Sequence, residues 1–250
     1  MAAVQKLYEA CKISLTSAAT ATAAPSPLVV RKICHILDGI TCPDVGLSEE
    51  SVNQLNRGLG FFGGQRGRHS SMAARWAPPI SYLHLHESST FSMGIFCLPT
   101  SSAIPLHDHP GMTVFSRLLY GTLHVRSYDW VDKQPCSDPS KPRLAKLVLD
   151  QVMTGPCDSV VLYPNSGGNI HAFTAINSCA ILDVLAPPYC PSTGRHCTYY
   201  RAFPYSSLAA EMHDDNNDYD DENYVYLVEY KPPDDFVVQN GVYTGPKVKP

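Results

Sequence analysis

Two histidines flank one aspartate in the segment PLHDHPG, where His107 and His109 are separated by a single residue. In an extended strand, residues i and i+2 point to the same face, so both imidazoles can be aimed at one point. Imidazole nitrogen is a good ligand for zinc, copper, iron and nickel. The pair can therefore bind a metal, although two histidines on a solvated loop would show the same pattern.

A third candidate ligand, His171, begins an apolar run after the turn PNSGG in YPNSGGNIHAF. Three neutral histidines suit zinc as well as iron, and their spacing alone does not separate the two metals. A second histidine pair, His84 and His86, has no third partner with matching turn chemistry. We assign one or both of these histidines to the wall of the barrel or to the mouth of a pocket.

The elements that must position these histidines are short and β-rich. From Ile80 onward, apolar runs are separated by Pro, Gly, Asp and Asn, and this pattern predicts an all-β sandwich or barrel. The predicted strand regions are ISYLHLHE, FSMGIFCLP, MTVFSRLLYG, TLHVRSYDWV, AKLVLDQVM, SVVLYP, IHAFTAI, CAILDVLAP and YVYLVEY.

A helical segment precedes the strands. In PSPLVVRKICHILDGI, apolar residues recur at spacings of three and four after a Ser-Pro start, which predicts a helix. The run SLTSAATATAAPSP is interpreted as a flexible linker, although its composition also suits a transit peptide. We expect residues 1–45 to form a helical segment and linker packed on the barrel, and residues 46–250 to form the barrel domain itself.

Composition excludes several function classes. The 250-residue chain has a net charge of −4, and the arginine-containing run 56–75 reads as a glycine-rich loop, so no nucleic-acid partner is expected. Neither a signal peptide nor an apolar run long enough to span a membrane is apparent. Nine cysteines without a C-x-x-C motif favour free thiols in a reducing compartment. We expect a soluble intracellular monomer without a membrane partner.

The two histidine motifs resemble the paired motifs of the cupin superfamily. There, a first motif supplies H-x-H and ends at a glycine such as Gly121, and a second runs Pro, Gly, two residues, His, as Pro164, Gly168 and His171 do. The resemblance implies a double-stranded β-helix, a jelly-roll-like barrel whose histidines converge on a metal. One departure stands out: the usual glutamate of the first motif is absent from residues 110–114, so the metal would have no carboxylate ligand.

Four blocks are more specifically similar to the plant cysteine oxidases, relatives of animal cysteamine dioxygenase: PLHDHPGMTVFSRLLYGTLHVRSYDW, GGNIHAFTAINSCAILDVLAPPY, GRHCTYYR and EYKPPDDF with VYTGP. This resemblance implies a non-haem thiol dioxygenase with one Fe(2+) per chain, held by His107, His109 and His171. Its substrates would be proteins with an exposed N-terminal cysteine, such as group VII ethylene-response transcription factors. Oxidation by O2 to the sulfinic acid would feed the arginylation and N-degron pathway, as an oxygen-sensing step of the hypoxia response in nucleus and cytoplasm.

The same resemblance suggests further site residues. Asp183 and Tyr189 are candidate catalytic residues, and Cys197 is a candidate residue of the substrate pocket. Asp183 could orient a ligand histidine or bind the substrate amine, or it could make a structural hydrogen bond to a turn. Tyr189 could direct its hydroxyl at O2 or sulfur, or pack as an aromatic lid. Two other functions remain open: a dioxygenase for a small thiol such as cysteamine, and a non-catalytic metal-binding cupin.

Overall fold

The computed structural model of the chain describes residues 1–15, 24–48, 79–132, 138, 141–210, 212, 219–234 and 236–249. The predicted glycine-rich loop, residues 56–75, lies outside the described residues, as does most of the predicted linker.

The described elements are three α-helices, two 3-10 helical turns at Pro43–Val45 and Pro191–Thr193, and twelve strands. The helices are α1 (Ala3–Ser14), α2 (Pro27–Asp38) and the short α3 (Tyr205–Leu208). The strands are β1 (Ile80–Glu87), β2 (Ser92–Leu98), β3 (Ala103–His107), β4 (Thr113–Tyr120), β5 (Thr122–Trp130), β6 (Arg143–Thr154), β7 (Val160–Leu162), β8 (Ile170–Ala175), β9 (Cys179–Ala186), β10 (Tyr200–Pro204), β11 (Tyr224–Glu229) and β12 (Val238–Gly241).

The strands form two sheets of six, and the all-β cupin-type prediction is confirmed. Sheet A has the order β12-β1-β2-β9-β4-β7, and sheet B has the order β10-β11-β6-β5-β8-β3. Each of the nine predicted strand regions contains a strand, whereas β3, β10 and β12 were not predicted. Gly121 connects β4 to β5 with a φ of +87°, and a Cβ there would collide with the backbone of Ser178 and with Cys179.

The side chains of β9 alternate between two apolar layers. Ile181 belongs to the core between the sheets, together with residues such as Phe173 of β8. Leu182 and Val184 belong to a separate core on the other face of sheet A. Because β9 is central in sheet A and buried on both faces, its sequence is apolar throughout except for Asp183.

The two N-terminal helices cover the outer face of sheet A. Leu7 of α1 and Ile33 and Leu37 of α2 are fully buried in one core with Phe115 and Leu182 of the sheet. The predicted helix is confirmed as α2, which begins after Ser26, whose hydroxyl accepts a hydrogen bond from Val29 N at 3.4 Å. The domain boundary at residue 45 stays a prediction.

A buried arginine joins α2 to the sheet. Arg117 of β4 donates through Nη1 to the carbonyl oxygens of Leu37 and Ile40, the latter at 2.9 Å, and through Nε to Cys157 O at 3.1 Å. Carbonyls at a helix C-terminus have no partner within the helix and attract a cation. Arg117 therefore satisfies the end of α2 and fixes the helix on the barrel.

Two further sequence predictions concern the whole chain. All eight cysteines within the described residues are free, as predicted, and the ninth, Cys136, lies outside them. None of the helices in the described ranges has the length and apolar character needed to cross a membrane.

Candidate metal centre

The three predicted ligand histidines meet on the inner side of sheet B. His107 is the last residue of β3 and pairs in register with His171 of the neighbouring β8. Strand β3 ends at His107, so His109 lies just beyond the strand. One ring nitrogen from each histidine lies within 4.8 Å of the others, and Nε2 of His109 is 3.2 Å from Nε2 of His171.

Two of the rings have their tautomers set by partners behind them. His107 Nδ1 lies 2.9 Å from Pro105 O and donates to it. The Tyr189 hydroxyl donates to Asp108 O at 2.7 Å, so its oxygen accepts from His109 Nδ1 at 2.8 Å. A hydrogen bond of this kind at one ring nitrogen fixes the orientation of the imidazole and leaves the other nitrogen free for a metal. The Nε2 atoms of His107 and His109 are therefore available as ligands.

Burial keeps the three rings neutral. Loss of hydration lowers the pKa of His107 to about 4, and it lowers the pKa of His109 and of His171 well below the ordinary value. Only the neutral ring offers a lone pair to a cation, so no proton has to leave before a metal binds at neutral pH. Within the described ranges, no carboxylate or thiol joins this group. The donor set fits one divalent metal with three histidine ligands and open coordination positions.

Asp108, between the two histidines, anchors the pair to the next layer of backbone. Its Oδ1 accepts from Thr198 N at 2.9 Å and its Oδ2 accepts from the Tyr200 hydroxyl at 3.0 Å. The Asp108 N–H donates to Thr198 O at 3.1 Å. The carboxylate is thus engaged outside the histidine cluster, where it holds the segment after β3 in place.

Asn169 clamps the same segment from the second motif. Its Oδ1 accepts from His109 N at 3.0 Å, and its Nδ2 donates to His109 O at 3.0 Å and to Tyr163 O at 2.8 Å. Gly168, with φ of +81°, precedes it in a turn whose N–H groups are held by Asp129. Sequence reasoning missed Asn169 and Asp108 as site residues. The sequence does hold a signal for both residues, because a carboxylate lies inside the first histidine motif and an amide lies inside the second.

Comparison with known proteins assigns the chain to a family. The family model PCO_ADO matches residues 36–248. Plant cysteine oxidase 1 of Arabidopsis thaliana is 46% identical over 99% of this chain and 80% of its own length, and Plant cysteine oxidase 2 is 41% identical over 98% and 83%. The chain belongs to the PCO_ADO family.

The chain is also similar to animal enzymes. The 2-aminoethanethiol dioxygenase of Homo sapiens is 35% identical over 69% of this chain and 70% of its own length. A cupin superfamily protein of Desulfitobacterium hafniense aligns over 44% of this chain and 78% of its own, with 11% identity and a TM-score of 0.31, too low to add to the sheet topology. As a PCO_ADO member with substantial identity to these enzymes, the chain is an enzyme of the thiol dioxygenase class.

Asp183, predicted as a catalytic residue, lies on the inner face of sheet A. It is 7% exposed, and its Oδ1 has no hydrogen-bond partner among the described residues. Burial raises the pKa of Asp183 to about 7, while a hydrogen bond with the Ser116 side chain opposes that shift. A buried carboxylate oxygen without a partner is costly, and a cationic group is the partner that would relieve the cost.

Tyr189 and Cys197, the other two predicted residues, lie together beside the histidines. The Tyr189 ring centroid is 5.5 Å from that of His109, and the Cys197 thiol is hydrogen-bonded to the side chains of Tyr189 and Tyr199. Burial raises the pKa of the Cys197 thiol to about 11, so the thiol is protonated and unreactive at neutral pH. The Tyr189 hydroxyl is already engaged in hydrogen bonds with the H-x-H segment, at Asp108 O and His109 Nδ1.

The second histidine pair lies elsewhere. His86 packs on the N-terminal helix layer, with its ring 4.8 Å from Tyr8 and 5.0 Å from Phe91, and His84 on the same strand is exposed. Neither joins a cluster of metal-ligating side chains within the described residues. The assignment of this pair to the wall of the fold agrees with the structure for His86.

Proposed function

We propose that the protein is an Fe(2+)-dependent dioxygenase that oxidises an N-terminal cysteine of other proteins to cysteine sulfinic acid. The reaction is R–SH plus O2 giving R–SO2H, in which both oxygen atoms join the sulfur and the hydrogen stays on the acid. The observation that carries the proposal is the buried cluster of three neutral histidines without a carboxylate ligand. Such a site keeps the full charge of a divalent ion available to an anionic thiolate.

One Fe(2+) per chain would be held by His107, His109 and His171. Bound iron would supply redox chemistry for O2 and a positive charge that lowers the pKa of a coordinated thiol, which otherwise lies near 8.5. Tyr189 keeps the Nδ1 side of His109 engaged, so the ring presents Nε2 to the metal. Cys197 and Tyr199 form part of the wall beside these rings.

Asp183 would bind the α-ammonium group of the substrate cysteine. An N-terminal cysteine differs from an internal one by this cation, and Asp183 has a buried oxygen on the inner face of the barrel that has no partner within the described ranges. Pairing would satisfy both groups in a site from which water is largely excluded. This assignment explains why an apolar strand carries one acidic residue, and it makes Asp183 the residue that selects free N-termini.

The cellular role follows from the same likeness. The identity to the plant cysteine oxidases of Arabidopsis thaliana supports protein substrates and O2 as co-substrate. We place the protein in nucleus and cytoplasm, as a monomer that oxidises proteins such as group VII ethylene-response transcription factors and commits them to the N-degron pathway when oxygen is present. Hypoxia would stop the reaction and spare these proteins.

The decisive experiment is anaerobic reconstitution with Fe(2+), followed by O2 and a peptide that begins with cysteine. We expect a mass gain of two oxygen atoms, both labelled when ¹⁸O2 is used, and a rate that depends on oxygen over a graded series. The matched control is the same peptide with an acetylated N-terminus, which cannot offer an ammonium group to Asp183. Equal oxidation of both peptides would contradict the assignment of Asp183.

A second candidate function is oxidation of a small aminothiol, which the identity to 2-aminoethanethiol dioxygenases favours. Cysteamine also carries a thiol and an ammonium group, so the same groups would bind it. Turnover of cysteamine without turnover of the peptide would select this function. Iron uptake without oxidation of either thiol would leave a metal-binding protein and refute both.

A further inference from the structure

An apolar cavity of about 210 Å³ lies between the inner faces of the two sheets and is lined in part by one ligand histidine. Residues of both sheets line it, including Leu118 and Ile181 from sheet A and Val125 and Phe173 from sheet B, and it contacts the metal centre at His171. Residues of β6 and β7 also line the cavity. Among them, Val148 and Val160 are 46% and 42% exposed, so the cavity meets the surface at these two residues.

The chemistry of the lining selects what can occupy the cavity. Beside His171, the polar side chains that line it are those of Ser116, Ser127 and Asp158, and the remaining side chains are aliphatic, thioether or aromatic. An ammonium group or a peptide amide would lose its water of hydration there and gain few hydrogen bonds. A cavity of this kind stays largely free of ordered water and takes up small apolar molecules. Dioxygen is such a molecule.

We propose that this cavity is the passage through which O2 reaches the metal centre, separate from the path of the thiol substrate. The groups assigned to the thiol side, Asp183, Tyr189 and Cys197, are absent from the described residues that line the cavity, and Ser116, the hydrogen-bond partner of Asp183, lies between that side and the cavity. A peptide bound by its N-terminus fills the space on its own side of the metal. A second, apolar route lets O2 arrive after the peptide has bound. The proposal rests on the dioxygenase function given above.

The first test narrows the passage near its surface end. Leu149 lines the cavity from β6 and is only partly buried, so the larger ring in Leu149→Trp can be accommodated there. Val152 lies on the same strand, is 56% exposed and does not line the cavity, which makes Val152→Trp the matched control. We expect Leu149→Trp to raise the KM for O2 about threefold or more, with the KM for the peptide and the iron content unchanged. Val152→Trp should match the wild-type protein in all three.

The second test does not depend on activity. Crystals of the wild-type protein under xenon pressure should show xenon between Val125, Leu149 and Phe173, and Leu149→Trp or the milder Met153→Phe should reduce its occupancy. Absence of xenon from the cavity would overturn the proposal. An unchanged KM for O2 in a folded, iron-loaded Leu149→Trp would also overturn it, and a rise confined to the KM for the peptide would show that the cavity holds peptide instead. If wild-type protein consumes no O2 with any thiol, the proposed function fails, and the xenon result still tells whether the cavity admits an apolar gas.

Discussion

Two buried ionisable side chains lie on opposite faces of sheet A, on adjacent strands, and they differ in how far their hydrogen-bonding groups are satisfied. Arg117 of β4 faces the helices, where it donates to three carbonyl oxygens, two of them at the end of α2. Asp183 of β9 faces the barrel interior and leaves Oδ1 without a partner among the described residues. The residue next to Arg117 in β4, Ser116, pairs in register with Asp183.

The difference separates a structural charge from a functional one. A buried ion whose donors or acceptors are all used stabilises the fold, because breaking its contacts leaves other groups unsatisfied. A buried ion with spare capacity weakens the fold, and it is retained where a ligand supplies the missing partner. Four variants test this contrast.

The largest effect is expected from His107→Ala, which tests whether the interior face carries the chemistry at all. Removing one of three ligands should abolish iron retention and lower activity by about 1000-fold or more. Iron content and oxygen uptake measure both. His124→Ala is the control, since His124 lies half exposed beside Asp150 on sheet B. Full activity with bound iron in His107→Ala would refute the metal centre.

Arg117→Met should damage the fold without touching the site. Methionine fills similar space but leaves the carbonyls of Ile40 and Cys157 without their donor and removes one of the donors to Leu37 O, which keeps the N–H of Ile40 at 3.0 Å, so we expect the free energy of unfolding to fall by about 3 kcal/mol. Denaturant titration measures the loss. Arg126→Met removes an exposed arginine paired with Asp150 and should cost less than about 1 kcal/mol. A stable but inactive Arg117→Met would place Arg117 in the reaction.

Asp183→Asn should show the reverse pattern. We expect kcat/KM for a peptide with a free N-terminal cysteine to fall by about 10-fold to 100-fold, because asparagine cannot pair with the ammonium group. Iron should be retained, and the melting temperature should be equal or higher, because a poorly solvated charge has been removed. Normal turnover in this variant would remove Asp183 from the catalytic residues.

The smallest effect is a shift in pH dependence. Because the carboxylate form of Asp183 binds the ammonium group and burial raises the pKa of Asp183 to about 7, kcat/KM of the wild-type protein should rise as pH increases through about 7. Ser116→Ala removes a hydrogen bond that favours the ionised form, so the rise should move to higher pH. The Asp183→Asn variant should show no such rise of kcat/KM with pH. An unmoved profile in Ser116→Ala would show that another group controls the rise.

The raised pKa of Asp183 also determines the direction in which folding stability changes with pH. The pKa of an aspartate in the unfolded chain is near 3.9, so between that value and about 7 the folded state binds the extra proton at Asp183. The contribution of Asp183 to stability therefore falls as pH rises through this window. In Asp183→Asn that contribution is absent, which comparison of unfolding curves at pH 5 and pH 8 would detect.

Strand positions were predictable where a run was long and bounded by turn residues, as for β1, β5 and β9. The missed strands are short or lack that signal. β3 carries Pro105 and only five residues, and β12 has a single apolar residue. Such strands form because a neighbouring strand has backbone N–H and C=O groups with which they can pair, as β1 does for β12. Information of that kind is not local.

The three metal-ligand candidates could be chosen from the sequence because histidine is rare and both motifs carry distinctive turns. Their supports could not. Asp108 and Asn169 act on backbone that lies far away in sequence, at Thr198 and at His109. Polar residues in loops are common, and only the folded chain shows which of them form hydrogen bonds with backbone that is distant in sequence.

The sequence by itself determined the all-β class, the N-terminal helix and the identity of the histidine cluster, because hydrophobic periodicity and ligand chemistry are written in residue types and spacing. Tertiary structure alone decided which buried polar groups are satisfied. Arg117 and Asp183 are both charged residues in apolar strands, and nothing in their neighbours separates them. On the outer face, the chain around the end of α2 and Cys157 gave Arg117 three acceptors, whereas on the inner face Asp183 Oδ1 was left without a partner among the described residues.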